Sequence, residues 1–405
     1  MHPKESPRNV CVTEQSQMEP EDAKELKSNE QKFQFTVFEI FGGLWSIGTF
    51  LFDTGMDCVV AYRHYTKGDI KYFILTVVFI VVPALTMTFF SIWMYKQDVE
   101  MLKKSNNSPS RLRRYIRIVL HVLQLGPLLR YIDSLIYGLK CRRNKDKEFY
   151  HSRMQHEGCD AAFLRLLEAF MEAAPQVILQ TYIIVKNSLD DPNYILTVKT
   201  EGFSILTSLI SLPWALASYH RFSRFCLPRK QNILWKGTIV QLLWHFFTIS
   251  ARVFSLSLLA TLSPVILGIG CFCHWLMMTC WIISMKTSFY ENKFQEIMYN
   301  AILGIVFIFC YYNPIDSQTR YRYVIYFIIT FIENTAIITL WYYYIDPLPW
   351  FYLYVMVIIG LSFFIGIFFM ILYYLTLHPT GKISIWRKPN STSDQNKENI
   401  PMEKV

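Results

Sequence analysis

The sequence predicts an all-α polytopic membrane protein with eight transmembrane helices and two half-inserted (re-entrant) helices, arranged as two pseudo-repeats. Its 405 residues are 52% hydrophobic and 16% aromatic, which is more apolar than a typical soluble domain. The apolar residues form blocks long enough to cross roughly 30 Å of hydrocarbon. Basic residues concentrate between these blocks, as they do in the cytosolic loops of membrane proteins.

Nine strong apolar blocks and one weaker block follow one another along the chain. The strong blocks cover residues 34–62, 72–95, 160–186, 195–218, 236–262, 265–285, 294–312, 321–345 and 350–376. The weaker block covers residues 112–139 and is interrupted by charged residues, a histidine and a proline. Each strong block predicts a membrane-associated helix, and the interruptions predict a segment that does not cross the bilayer.

The positions of the basic connections decide which blocks cross. Segments 96–117 and 140–157 carry seven and six Lys/Arg, so both are predicted to be cytosolic. The weaker block between them must therefore leave the membrane on the side it entered. Block 294–312 also has basic residues on both sides and is the predicted second half-inserted element. Eight spans then remain, and both termini are predicted to be cytosolic.

This order divides the chain into four parts. We expect a disordered cytosolic tail at 1–33, an N-terminal membrane repeat at 34–220, a C-terminal membrane repeat at 221–378 and a disordered cytosolic tail at 379–405. Each repeat consists of two spans, a half-inserted element and two further spans. Duplicated halves are common in proteins that move a substrate across membranes. The net charge of +9 lies in the loops and is expected to meet lipid headgroups and no nucleic acid.

Ionisable residues within the apolar blocks are the candidate functional residues. Arg165, Glu168 and Glu172 are spaced by three and four residues, which places them on one helix face. Asp53 and Asp57 share a face of the first block in the same way. Each ionised group at the bilayer centre costs at least about 2.5–3.5 kcal/mol unless it is paired or wetted. The set therefore indicates either a polar path across the membrane or structural ion pairs that fix helix register.

Four further charged residues are predicted to form structural charge pairs within the membrane, namely Arg130, Asp133, Arg252 and Glu333. Arg165 follows the basic cytosolic segment, so we expect its side chain to snorkel towards the inner headgroups. No spacing of Cys, His, Asp or Glu indicates a metal, and no phosphate-binding loop or nucleophile motif indicates an enzyme or a cofactor.

Several long segments resemble the XK-related family of membrane proteins, nearest to its apoptotic phospholipid scramblase branch. They include VLHVLQLGPLLRYI (119–132), LRLLEAFMEAAPQVILQ (164–180) and QLLWHFFTISARV (241–253). The resemblance implies eight spans with two half-inserted segments in a plasma-membrane protein. It also implies ATP-independent scrambling that exposes phosphatidylserine on dying cells, so that they are engulfed. Phospholipids would then be the substrate, and Asp53, Asp57, Arg165, Glu168 and Glu172 would line the lipid path.

Activation and partners are expectations of the same resemblance. Several relatives are triggered by caspase cleavage of a cytosolic tail, and the nearest candidate sites here are Asp22 and Asp394. Neither lies in a DxxD motif, which makes both weak candidates. The alternative reading is a scaffold that does not scramble lipids and that binds a lipid-transfer protein or an accessory single-span membrane subunit. A secondary transporter for a small polar solute is a weaker alternative.

Overall fold

The computed structural model describes residues 37–104, 111–122, 125–143, 147–191, 194, 199–225, 233–285, 293–312, 320–345 and 351–378. These residues form helices and contain no strand. The helices are α1 (Val37–Thr66), α2 (Ile70–Lys104), α3 (Arg111–Val122), α4 (Gly126–Arg143), α5 (Lys147–Glu168), α6 (Ala174–Asp190), α7 (Lys199–Phe225), α8 (Trp235–Leu262), α9 (Pro264–Ser284), α10 (Lys293–Phe309), α11 (Arg320–Tyr344) and α12 (Tyr352–Leu372).

Six of these helices are long and apolar enough to cross a membrane, namely α2, α7, α8, α9, α11 and α12. The first helix, α1, has 30 residues and could also reach across a bilayer, but it carries acidic groups within its apolar stretch. The long helical segment formed by α5 and α6 likewise contains charged residues. The fold is thus that of a multi-pass helical membrane protein, and the count of eight crossings remains a prediction.

The two segments predicted to be half-inserted have different forms. The weaker apolar block contains two separate helices, α3 and α4, of 12 and 18 residues. The other segment is the single helix α10, whose 17 residues extend about 25 Å. Neither α3 nor α10 is long enough to span the hydrocarbon by itself.

A π-helical turn joins α5 to α6. It comprises Ala169–Ala173 and is followed by Pro175, so the chain continues as one helical rod with a wider turn in the middle. Proline has no backbone N–H and clashes with the carbonyl one turn before it, which disfavours regular α-helical hydrogen bonding at this point. A π turn alters the angular position of the side chains beyond it, and such turns occur frequently at functional sites.

The core lies where α5, α6, α7 and α8 pack together. Small residues such as Ala161, Ala174, Ala215 and Ala251 are almost completely buried there and allow the helices to approach closely. By contrast, α9 and α12 present most of their side chains outward, as expected of helices that face lipid. The central helices are therefore shielded from lipid by their neighbours, and this allows them to hold charged groups.

Candidate functional site: a polar seam in the N-terminal half

One face of α1 carries polar residues along the whole helix. Glu39, Ser46, Asp53, Asp57 and His64 follow one another at intervals of seven, seven, four and seven residues. These intervals are close to whole numbers of helical turns, so all five side chains lie on one face. The 25 residues between the ends extend about 37 Å, which exceeds the thickness of the hydrocarbon. The polar face of α1 is therefore long enough to cross the membrane.

A second polar face lies on α5, the π turn and α6. Its members are Arg165, Glu168, Glu172, Gln176 and Gln180, each three or four residues after the previous one. All five are at least 95% buried. The side chains at the two ends contact α1, so this face and the polar face of α1 lie against each other. We call the two faces, with the α7 residues that contact them, the polar seam.

The centre of the seam is a buried cluster of ions. The Arg165 guanidinium lies 3.3 Å from Asp53 Oδ2 and 2.5 Å from Glu168 Oε1. From α7, Ser208 Oγ donates a hydrogen bond to Asp53 Oδ1 at 2.9 Å, and Ser211 lies between Asp53 and Arg165. One cation thus pairs with two carboxylates, and two hydroxyl groups complete the hydrogen bonding around Asp53.

This geometry corrects the expectation for Arg165. The side chain is 1% exposed and does not reach out from the protein towards the headgroups. Snorkelling reduces the cost of a charge only where the side chain can reach water, whereas here two carboxylates lie within pairing distance. Arg165 is therefore the central cation of the seam.

Asp57 and Glu172 bring further negative charge to the same cluster. Asp57 is 3% exposed and interacts electrostatically with Asp53 and Glu168, while Glu172 is 5% exposed and interacts with Asp57 and Glu168. The structure thus brings together all five residues that the sequence predicted as a path. Four carboxylates share one arginine, an excess of acidic groups that a simple structural ion pair does not require.

Uncharged groups continue the seam from the ionic cluster towards the start of α2. Gln176 Nε2 donates to the carbonyl of Thr76 at 3.2 Å, and Gln180 Nε2 lies 3.3 Å from His64 Nε2. Several buried polar atoms here have no hydrogen-bond partner among the described residues: Glu168 Oε2, Gln176 Oε1, Gln180 Oε1 and His64 Nδ1. Such atoms are costly in a dry interior and have spare capacity to bond to water or to a polar substrate.

Charged pairs close both ends of the seam. At one end, Arg221 of α7 pairs with Glu39 and stacks 4.4 Å from the Trp235 ring. At the other end, Arg63 and Lys67 both pair with Glu201 of α7, at 3.0 and 3.3 Å. Because α1 and α7 pair at both of their ends, they form two walls of the seam, with α5 and α6 as the third.

The four residues predicted as structural charge pairs lie elsewhere. Arg252 of α8 and Glu333 of α11 contact each other at 2.5 Å, and His274 of α9 also bonds to Glu333, at 2.9 Å. Arg130 and Asp133 do not contact each other, since Asp133 pairs with Arg117 at 2.5 Å. Arg130 instead lies within 3.1 Å of three carboxylates, those of Asp98, Glu157 and Asp160. The cleavage candidates Asp22 and Asp394 lie outside the described residues.

Sequence reasoning missed the uncharged part of the seam. Ser46, His64, Gln176, Gln180 and the two serines of α7 were not among the predicted path residues. A signal was present, because Gln176 and Gln180 extend the series from Glu172 at four-residue intervals. An uncharged polar residue in a membrane helix costs less free energy than a charged one, so its presence alone is a weaker indication of a functional site.

Comparison with known proteins identifies the family of this chain. A family model described as XK-related protein matches residues 41–379, which is most of the chain. The chain belongs to the XK-related family. It is 29% identical over 365 residues to XK-related protein 8 of Tetraodon nigroviridis, covering 88% of this chain and 85% of the relative. It is 28% identical over 360 residues to XK-related protein 8 of Gasterosteus aculeatus, covering 87% and 85%. The matched region of this XK-related chain includes every residue of the polar seam except Glu39.

Proposed function

We propose that this chain is an ATP-independent phospholipid scramblase of the plasma membrane that exposes phosphatidylserine during apoptosis and so marks the cell for engulfment. The observation that carries the proposal is the polar seam, whose α1 face extends about 37 Å and so exceeds the hydrocarbon thickness. Both relatives reported above are named XK-related protein 8, and this similarity supports the proposal.

The chemistry of the seam suits the headgroup of a phospholipid. A zwitterionic or anionic headgroup carries a phosphate, which can pair with the arginine. It often carries an amine as well, which can pair with the carboxylates. Buried atoms without partners add unused hydrogen-bonding capacity along the same route. A headgroup that moves along the seam would exchange hydration for these groups while its acyl chains stay in lipid.

The path residues are well buried in this structure. Asp53, Asp57, Glu168 and Glu172 are each at most 5% exposed, so a headgroup cannot reach them without movement of a covering helix. The proposal therefore includes a trigger that separates the walls of the seam. Caspase cleavage of a cytosolic tail is one candidate trigger. Scrambling by the purified chain before and after caspase treatment, with cleavage mapped by mass, tests activity and activation together.

Replacement of both glutamates tests the path directly. Glu168→Ala with Glu172→Ala should reduce triggered phosphatidylserine exposure, measured by annexin binding at equal surface expression. The matched control is Glu333→Ala, which removes a membrane carboxylate that lies outside the seam. Unchanged exposure in the double variant, or an equal loss in the control, would contradict a path along the seam.

A scaffold function is the second candidate. The observation that favours it is helix α3, whose Leu112, Tyr115 and Ile116 are 48–69% exposed on one face. Such a face could dock a lipid-transfer protein or an accessory membrane subunit. Purified protein in liposomes separates the two functions, because a scaffold alone does not equilibrate a labelled lipid between the leaflets.

A further inference from the structure

The end of the seam next to the α1–α2 turn holds two cations, Arg63 and Lys67, that share one buried carboxylate, with Asp69 in the turn nearby. Arg63 Nη1 and Lys67 Nζ lie 3.0 and 3.3 Å from opposite oxygens of the single carboxylate of Glu201. Glu201 is 5% exposed at its side chain, whereas Arg63 and Lys67 are 31% and 41% exposed. One buried anion therefore holds two cations whose outer sides remain accessible, and one positive charge is not neutralised by this carboxylate.

The two cations are held in position by the fold. Arg63 lies in the last turn of α1, and Lys67 immediately follows the end of that helix, with its backbone N–H bonded to the Arg63 carbonyl at 3.0 Å. This bond keeps the two residues one turn apart, and both side chains reach Glu201 of α7. The shared carboxylate fixes the spacing between the guanidinium and the ammonium. Such an arrangement suits a tetrahedral anion, since guanidinium and ammonium groups form charge-assisted hydrogen bonds with phosphate oxygens.

Two buried polar side chains, each with one atom that has no hydrogen-bond partner among the described residues, lie beside this pair of cations. His64, the residue after Arg63, is 3% exposed, and its Nδ1 has no hydrogen-bond partner among the described residues. Its Nε2 lies 3.3 Å from Gln180, whose Oε1 also lacks a partner in the described part of the chain. Because His64 follows Arg63 directly on α1, these atoms lie at the same level of the seam as the cations, within the buried polar face.

We propose that Arg63 and Lys67 form a binding site for the phosphate of a phospholipid headgroup, at the end of the seam that the predicted topology places at the outer leaflet. The inference rests on the proposed function, which supplies the movement of lipid along the seam. It adds that the protein recognises the phosphate of the lipid headgroup. The phosphate binds the exposed sides of the two cations, and Glu201 keeps them in register. Other headgroup atoms then face His64 and Gln180.

A binding measurement on the purified full chain in detergent tests the site without any need for scrambling. Short-chain dihexanoylphosphatidylcholine should raise the melting temperature of the wild type. The double variant Arg63→Gln with Lys67→Gln should bind it at least about tenfold more weakly, because both charge-assisted contacts are lost.

Controls separate this site from a general charge effect. Lys71 is an exposed lysine near the same turn, and Lys71→Gln should bind the lipid as the wild type does. Arg63→Lys keeps the charge and should retain most of the binding. Inorganic phosphate at equal ionic strength distinguishes the two sources of the phosphate group. Equal stabilisation by inorganic phosphate would make the site a free-anion site and would overturn its assignment to lipid.

Scrambling in liposomes gives an independent test. The double variant should slow transfer of a fluorescent phosphatidylcholine at least about tenfold more than transfer of fluorescent glucosylceramide, which has no phosphate. Equal slowing of both lipids, or no slowing of either, would overturn the proposal. If the wild type binds the short-chain lipid but does not scramble, the proposed function fails and the site stands. If scrambling occurs but the double variant binds normally, the site fails and the proposed function stands.

Discussion

Replacement of Arg165 should destabilise the protein, and neutralisation of its two carboxylate partners should restore part of that stability. Arg165→Met keeps most of the side-chain length but removes the charge, which leaves Asp53 and Glu168 without their cation. Both carboxylates are at least 95% buried. Removal of one partner from a buried ion pair typically costs about 3–5 kcal/mol, because the remaining charge is left without compensation.

The magnitude can be expressed as a melting temperature. The entropy of unfolding grows with chain length. The melting temperature of a 150–250-residue domain therefore falls by about 2–4 °C for each kcal/mol lost from the free energy of unfolding. A chain of 405 residues should shift by roughly half as much, so Arg165→Met should lower the melting temperature by about 3–10 °C. Thermal scans of the detergent-purified protein, followed by size-exclusion chromatography, measure this change.

The repair follows from the same reasoning. Asp53→Asn and Glu168→Gln remove the two uncompensated charges, and well-packed neutral groups often replace a buried ion pair at little cost. The triple variant should therefore be more stable than Arg165→Met alone. A single variant as stable as the wild type, or a triple variant no better than the single one, would refute the view that Arg165 serves mainly to compensate buried carboxylates.

Two further predictions concern helix packing and the uncharged part of the seam. Gly366→Ala should lower stability by about 1–3 kcal/mol, because the added Cβ would lie 2.5 Å from Thr248 Cγ2 and 3.0 Å from its backbone nitrogen. Gly360→Ala on the same helix meets no atom within 4 Å and should leave the melting temperature unchanged or slightly higher. Gln176→Leu with Gln180→Leu should slow scrambling of phosphatidylcholine in liposomes at unchanged protein yield; a normal rate would show that headgroups do not pass these side chains.

The two halves of the chain share an ionic connection with exchanged charges. In the first half, Asp53 on the first long helix contacts Arg165 on α5. In the second half, Arg252 on α8, the helix that the predicted repeat matches with α1, contacts Glu333 on α11. Both side chains of the first pair are buried, whereas the Glu333 side chain is 31% exposed. If the halves are repeats as predicted, equivalent positions belong to a long seam in the first half and to a local ionic contact in the second.

The sequence by itself determined the helical membrane class, the order of the apolar blocks and the two charged faces. These properties depend on composition and on local periodicity, which fixes which residues share a face of a helix. Arg165, Glu168 and Glu172 share a face whatever surrounds them, and so do Asp53 and Asp57. The family resemblance carried by segments such as 164–180 was also present in the sequence.

Only the tertiary structure decided which faces meet and which charges pair. Asp53 and Arg165 are 112 residues apart, and periodicity contains no information about the neighbour that a helix face will contact. The interpretation of Arg165 changed for this reason, since packing against α1 and α7 buries a side chain that its place in the sequence would allow to snorkel. Arg130 and Asp133 found separate partners for the same reason. The seam exists because three helices, each only partly polar, bury their polar faces against one another.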